Sequence, residues 1–247
     1  DEICAAIKDV YNDTRAICEP SGAMGAAGLK KYVEQSGVQG QTLVAVQCGA
    51  NIDFDRLRYI SERTEIGEKR EAILAVTLDE KPGSFRNFCK AIGRRTISEF
   101  NYRYSDSQQA QIYVGVKVSD DGDRFDLVNE LVGKGYPVSD LTDSEIAKSH
   151  IRHMVGGRSP QVGEEQVFRF EFPERPSALA NFLIELGSGL NISMFHYRNH
   201  GSAFGKVLVG FQASEQDGLE VKRFLDELGY RYEDETHNEA YQIFLSS

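Results

Sequence analysis

Tryptophan is absent from the 247 residues, and there are only four cysteines, five histidines and six prolines. No stretch approaches the roughly 18 uninterrupted apolar residues of a membrane-spanning helix, and Asp1-Glu2 opens the chain with neither a basic segment nor a hydrophobic signal core. Cys4, Cys18, Cys48 and Cys89 lie far apart without a CxxC pair. That spacing excludes a zinc knuckle and a disulfide framework, so reduced thiols and a cytoplasmic location are expected. Positive charge is also short. Twenty-eight Lys and Arg against 38 Asp and Glu leave a net charge of -10, the wrong sign for neutralising the phosphates of nucleic acid or of an anionic membrane. A small molecule or another protein is the expected partner. The pairs His150/His153 and His196/His200 have helical metal-ligand spacing. The first has no acidic or third ligand beside it and the second begins in an expected strand, so no metal is expected. No nucleophile-elbow pattern supports a Ser/His/Asp triad.

What is present is 40% hydrophobic residues, enough for ordinary globular cores. Asp1 to Val10 reads as amphipathic helix with Ile3, Ile7 and Val10 on one face, an odd start for a domain; further chain is expected before it. The small-residue run Ser21 to Gly28 leads into helix through Gln35 and implies tight packing. Thr42 to Val46 reads as a buried strand, followed by a turn at Gly49-Ala50-Asn51 and a helix through Leu57 and Ile60.

The remainder repeats itself. Pro82 and Pro176 stand 94 residues apart, and the same offset aligns Glu80 with Glu174, Asn87 with Asn181, Phe88 with Phe182 and Gly93 with Gly187. A slip to 95 aligns Ser98, Phe100, Tyr102, Arg103 and Gly115 with Ser193, Phe195, Tyr197, Arg198 and Gly210. Offset 94 then returns for Leu131 with Leu225, Gly135-Tyr136 with Gly229-Tyr230, and Asp140 with Asp234. Each copy reads strand, helix, strand, strand, helix, strand: the split βαβ, ferredoxin-like order of an α+β fold, with helices on one face of an antiparallel sheet. Tyr241 to Leu245 adds a terminal apolar segment.

Ile97 to Arg103, Phe170-Glu171-Phe172-Pro173-Glu174-Arg175-Pro176, Phe195-His196-Tyr197-Arg198, Met154 to Arg158 and Asp234-Glu235-Thr236 resemble the paired regulatory motifs of biosynthetic threonine deaminases. Glu19 to Ala23, Gly49-Ala50-Asn51 and Arg56-Leu57-Arg58 look like the end of that family's pyridoxal-phosphate domain, of the tryptophan-synthase-β-like α/β class. The resemblance covers essentially the whole chain. It implies a remnant of the catalytic domain at 1–67, an ACT-like domain at 70–142, a linker at 143–164 and a second ACT-like domain at 165–247. It also implies the deamination of L-threonine to 2-oxobutanoate and ammonia, feedback inhibition by isoleucine, activation by valine and a homo-oligomer.

The family's Schiff-base lysine, set in a Ser-Phe-Lys-like motif, and its glycine-rich phosphate loop do not occur here. The chain is therefore expected to hold no cofactor and to be inactive alone, pyridoxal phosphate belonging to the complete enzyme with its catalytic region. There Cys48 takes the position, usually Ser, that meets the pyridine nitrogen.

An amino-acid effector needs donors for its carboxylate, acceptors for its ammonium and an apolar pocket. In ACT-like folds the loop after the first strand, the second strand and the neighbouring domain supply them. The resemblance points to Pro82, Gly83, Ser84, Tyr102 and Arg103 in one copy and to Pro176, Ser177, Ala178, Tyr197 and Arg198 in the other. Ser177 replaces the family's usual glycine, where a Cβ would crowd a backbone approach. Arg152 in the linker is tied by resemblance to feedback control; a solvated linker arginine is the alternative. Period-two aromatics are ordinarily core residues, and Phe100 and Phe195 are assigned there. Two other functions compete: an RNA-binding sheet with Phe100, Tyr102 and Tyr104 as stacking platforms, disfavoured by charge, and an oligomerisation module without effector.

Overall fold

A computed structural model describes residues 1–173, 178–186, 190–199 and 204–246. The chain divides into two compact units, Asp1–Glu71 with Ser119–Asp121, and Ala72–Val118 with Gly122–Ser247.

The first unit is three helices, α1 (Glu2–Thr14), α2 (Pro20–Ser36) and α3 (Phe54–Gly67). Pro20 begins α2 at a position where its missing N–H costs nothing, and Gly37 ends it in the left-handed conformation. Cys4, Ala6, Ile7, Val10, Cys18, Ala23 and Ile60 form the core. The small residues of α2 allow a close approach: a Cβ on Gly22 would stand 1.9 Å from the Cys48 carbonyl oxygen. The expected buried strand at 42–46 is not formed. Those residues are irregular, and Val44 and Val46 are 82% and 79% exposed. A strand needs a neighbour for its backbone N–H and C=O groups, and no strand of this unit is among the described residues.

The second unit carries the repeat. The first copy is β1 (Glu71–Asp79), α4 (Ser84–Ile92), β2 (Ile97–Arg103), β3 (Gln109–Lys117), α5 (Asp121–Gly133) and β4 (Val138–Asp140). A π-helical turn, Ala147–Ile151, and a short helix α6 (Arg152–Met154) come next. The second copy is β5 (Glu165–Pro173), α7 (Ala178–Leu186), β6 (Ile192–Arg198), β7 (Phe204–Gln212), α8 (Gly218–Leu228) and β8 (Arg231–Asp234), with α9 (Glu239–Phe244) at its end. The βαββαβ order read from the sequence is the observed one in both copies.

All eight strands join one sheet in the order β4-β1-β3-β2-β6-β7-β5-β8. The copies meet where β2 pairs antiparallel with β6, their repeat-equivalent strands. Phe100 faces Tyr197, Tyr102 faces Phe195, and Asn101 faces its own equivalent, His196. A local two-fold axis therefore passes between Asn101 and His196. The core spans the junction: Phe88, Phe100, Tyr102, Leu127 and Leu131 of one copy and Phe170, Phe182, Phe195, Tyr197 and Leu225 of the other belong to a single apolar cluster. Phe100 and Phe195 are fully buried, ring to ring at 5.2 Å and 73°. Edge-to-face pairs of this kind contribute about 0.5–1.5 kcal/mol beyond burial.

The sheet's other face is covered by the segments that trail β4 and β8, and the repeat explains how. In the first copy, Thr142 Oγ1 accepts from Ile73 N at 3.0 Å and Asp140 Oδ1 accepts from Thr142 N at 2.9 Å. In the second, Thr236 Oγ1 accepts from Val167 N at 3.0 Å and Asp234 Oδ1 from Thr236 N at 2.9 Å. The chain turns off the last strand identically both times. The first turn delivers Ala147, whose carbonyl accepts from Tyr113 Oη at 3.1 Å, and the second delivers Tyr241 onto Val167 and Met194.

Candidate functional site

The residues singled out from the sequence fall on opposite faces of the sheet, because neighbours along a strand point opposite ways. Tyr102 and Tyr197 point into the helix-covered core and are both 1% exposed. Arg103 points to the other face. Pro176 and Ser177 lie outside the described residues.

On the helix side, residues 79–83 of the β1–α4 loop, with Phe85 and Arg86, face Leu183, Leu190, Asn191 and Ile192 of the second copy. Between them is a narrow cleft with a cavity of about 20 Å³. Pro82 and Gly83 line it. Gly83 sits at φ 88, a conformation that favours glycine, and caps α4. Tyr102 forms no part of the wall, but its hydroxyl donates to Glu80 Oε2 at 2.5 Å, which fixes a carboxyl of the wall. Burial pushes the Glu80 carboxyl above its ordinary range; the Tyr102 hydrogen bond acts the other way, and nearby Asp106 adds to the rise. Tyr102 itself is raised, by burial first and by Glu80 second. Ser84 is buried and lines a separate groove of about 410 Å³ with Asn87, Lys134 and Tyr136. Tyr197 stacks on Phe172 at 6.1 Å and 25°. Ala178 packs against the core as a partly buried side chain.

On the other face the arginines are structural hubs. Arg103 pairs with Glu165, both side chains 5% exposed, and donates to the carbonyls of Gly157 at 2.9 Å and Leu245 at 3.0 Å. Glu165 also accepts from Ser193 Oγ, and from Tyr241 Oη at 2.7 Å. Arg152 is neither solvated nor at the cleft. Its Nη2 and Nε lie 2.6 and 3.2 Å from Glu99 Oε2 in a pair buried on both sides. Arg198 stands opposite Glu99 in the β2/β6 register. So the structure brings Pro82, Gly83 and, through Glu80, Tyr102 to one cleft, and places Arg103, Arg152 and Arg198 on the far face.

Sequence reasoning passed over Glu80, Arg86, Glu99 and Glu165. Glu80 carried a signal, its match with Glu174. Arg86 carried none, since its counterpart is Ala180.

Cys48 is exposed in an irregular stretch. A thiol with neither lysine nor glycine-rich phosphate loop in the sequence around it does not fit pyridoxal phosphate. Among the described residues no group of three His, Cys, Asp or Glu could hold a metal, and no helix is long and apolar enough to cross a membrane.

Two split-βαβ copies sharing one sheet and one core, with a cleft at their junction, define a fused pair of ferredoxin-like domains. A family model described as the C-terminal regulatory domain of threonine dehydratase matches residues 62–151 and again 156–245, one match per copy. The chain belongs to that family. It is 52% identical over 246 residues to the L-threonine dehydratase biosynthetic IlvA of Burkholderia multivorans, covering 100% of this chain and 48% of that protein. It is 48% identical to the Escherichia coli protein of the same name, covering 100% and 48%, and 44% identical to the mitochondrial threonine dehydratase of Saccharomyces cerevisiae, covering 99% and 45%. The chain spans about half the length of the curated relatives it matches.

Proposed function

We propose that this chain is the amino-acid-sensing part of a biosynthetic L-threonine ammonia-lyase, taking isoleucine as feedback inhibitor, with valine as the counter-effector. The observation that carries the reading is the cleft between the β1–α4 loop of one copy and α7 and β6 of the other. A ligand there touches both copies at once. The cleft is narrow, so an amino acid enters only as α4 and α7 part, and it binds the parted arrangement more tightly than the closed one. That difference in affinity is what a two-state regulator requires, with coupling of about 1–3 kcal/mol typical. The chemistry on threonine then belongs to residues beyond this chain, in line with its lack of a Schiff-base lysine.

Calorimetric titration of the chain with isoleucine, valine and single-stranded RNA tests this. Heat with isoleucine and none with RNA is expected. Heat with RNA alone selects the nucleic-acid reading, and silence with all three selects a purely oligomerising module. Ketoacid formation from threonine by the chain alone would refute the assignment of chemistry elsewhere.

A further inference from the structure

Four charged side chains line the cleft: Asp79, Glu80, Lys81 and Arg86. Asp79 and Lys81 satisfy each other at 2.6 Å in an exposed pair. Glu80 is held by one oxygen, Oε2, to the Tyr102 hydroxyl. Arg86 Nε is enclosed and has no hydrogen-bond partner among the described residues. An enclosed guanidinium N–H left without an acceptor costs free energy, and a bound anion would satisfy it. Arg86 sits in the first turn of the nine-residue α4, whose N-terminus no side chain caps. The Ser84 amide is already taken by the Lys81 carbonyl at 3.2 Å, so the guanidinium is the donor with capacity to spare at this end of the cleft, where the helix N-terminus favours an anion. The remaining wall is apolar, with Phe85, Leu183 and Ile192.

From this division we infer that Arg86 and Glu80 are the charged pair that holds a zwitterionic, branched aliphatic α-amino acid. Arg86 Nε receives the carboxylate, Glu80 receives the ammonium, and Phe85, Leu183 and Ile192 receive the side chain. The inference rests on the sensor reading above and assigns its ligand-binding residues. Tyr102 is a positioning residue: it holds one carboxyl oxygen of Glu80 and so orients the other.

The local two-fold axis sharpens the expectation. At the repeat offset of 94, Arg86 corresponds to Ala180, and Leu190 corresponds, one residue slipped, to Arg95. Arg95 is engaged by Asp123 at 2.8 Å and Glu130 at 3.1 Å. Among the described residues the equivalent position therefore offers no free guanidinium, and the Arg86/Glu80 pairing itself has no copy at the repeat offset.

The test is calorimetry on the full 247-residue chain and on Arg86→Gln and Glu80→Gln. The probes are isoleucine, isoleucinamide, which lacks the carboxylate, and 3-methylpentanoate, which lacks the ammonium. The parent should bind isoleucine. Each variant should lose about tenfold or more in affinity, the scale of a charge-assisted hydrogen bond. Arg86→Gln should leave isoleucinamide binding unchanged while Glu80→Gln weakens it, and the reverse should hold for 3-methylpentanoate. This crossed pattern separates contact from misfolding, which would weaken all three probes alike. Variants that bind isoleucine like the parent overturn the charged pair and leave the sensor reading standing. No isoleucine binding by the parent overturns both.

Discussion

Arg152 Nη2 stands 2.6 Å from Glu99 Oε2, and the pair has no access to water to speak of: the two side chains are 5% and 3% exposed. The linker following the first copy is therefore pinned to the middle of the shared sheet by a desolvated ion pair. Removing one partner of such a pair leaves an uncompensated charge and costs about 3–5 kcal/mol. Arg152→Ala is expected to lower unfolding free energy by that order in a urea titration. The double replacement Arg152→Met with Glu99→Leu should cost much less, because no buried charge remains. An Arg152→Ala chain with the parent's midpoint would show that the pair contributes nothing to stability.

Arg103 ties four parts of the second unit together, through Glu165 and the carbonyls of Gly157 and Leu245. Replacing it with Met should loosen what it holds from outside the sheet before the sheet itself. Hydrogen exchange is expected to speed up first across α9, at Tyr241 to Leu245, while β2 and β6 stay protected. Equal loss of protection everywhere would mean that Arg103 supports the fold as a whole and not the C-terminal segment in particular.

Glu80 gives a pH dependence whose sign is set by its surroundings. Burial raises its carboxyl above the ordinary value, so between that value and the raised one the folded state holds more protons than the unfolded chain. This group's contribution to stability is accordingly greatest below the ordinary value and falls as pH rises through the raised one. Tyr102→Phe removes the hydrogen bond that opposes the rise, so the Glu80 carboxyl should titrate higher still in a carbon-detected NMR titration. Glu130 and Glu235 act in the opposite sense. Arg95 and Arg169 hold them below the ordinary range, so their stabilisation is present above that range and lost as pH falls through the lowered values.

The two threonine turns offer a local measurement. Thr142→Val and Thr236→Val each leave a backbone N–H, of Ile73 and Val167, without its acceptor. Each should cost about 1–3 kcal/mol by thermal denaturation, the penalty of an unsatisfied buried donor. Exchange at the orphaned amide should rise in each variant. A change below about 0.5 kcal/mol, within the range of ordinary surface substitutions, would mean that water replaces the hydroxyl.

The fold was legible because the sequence says it twice: the Pro82/Pro176 and Tyr102/Tyr197 registers aligned two copies, and the period of each segment supplied the βαββαβ order. The strand expected at 42–46 failed because an apolar β-branched run reports the wish for a neighbour, and no neighbour stands in that unit among the described residues. The cleft was partly legible. Pro82 and Gly83 announce a turn that any ligand at the junction would meet. Tyr102 and Arg103 look alike in a motif, yet one residue along a strand separates core from opposite face. Arg152 could not be located from spacing, since its partner Glu99 lies 53 residues away. Arg86 was invisible for the opposite reason: it has no equivalent in the second copy.

Asn101 faces His196 across the axis where β2 meets β6. A pair of separate, identical subunits would be obliged to present the same residue from both sides, and would part on dilution. Here the halves differ and are covalently joined, so their mutual binding is set by the reach of the linker and not by how much protein the cell contains. On the sensing function proposed above, such a junction responds to effector level alone: halving the amount of protein leaves every cleft assembled.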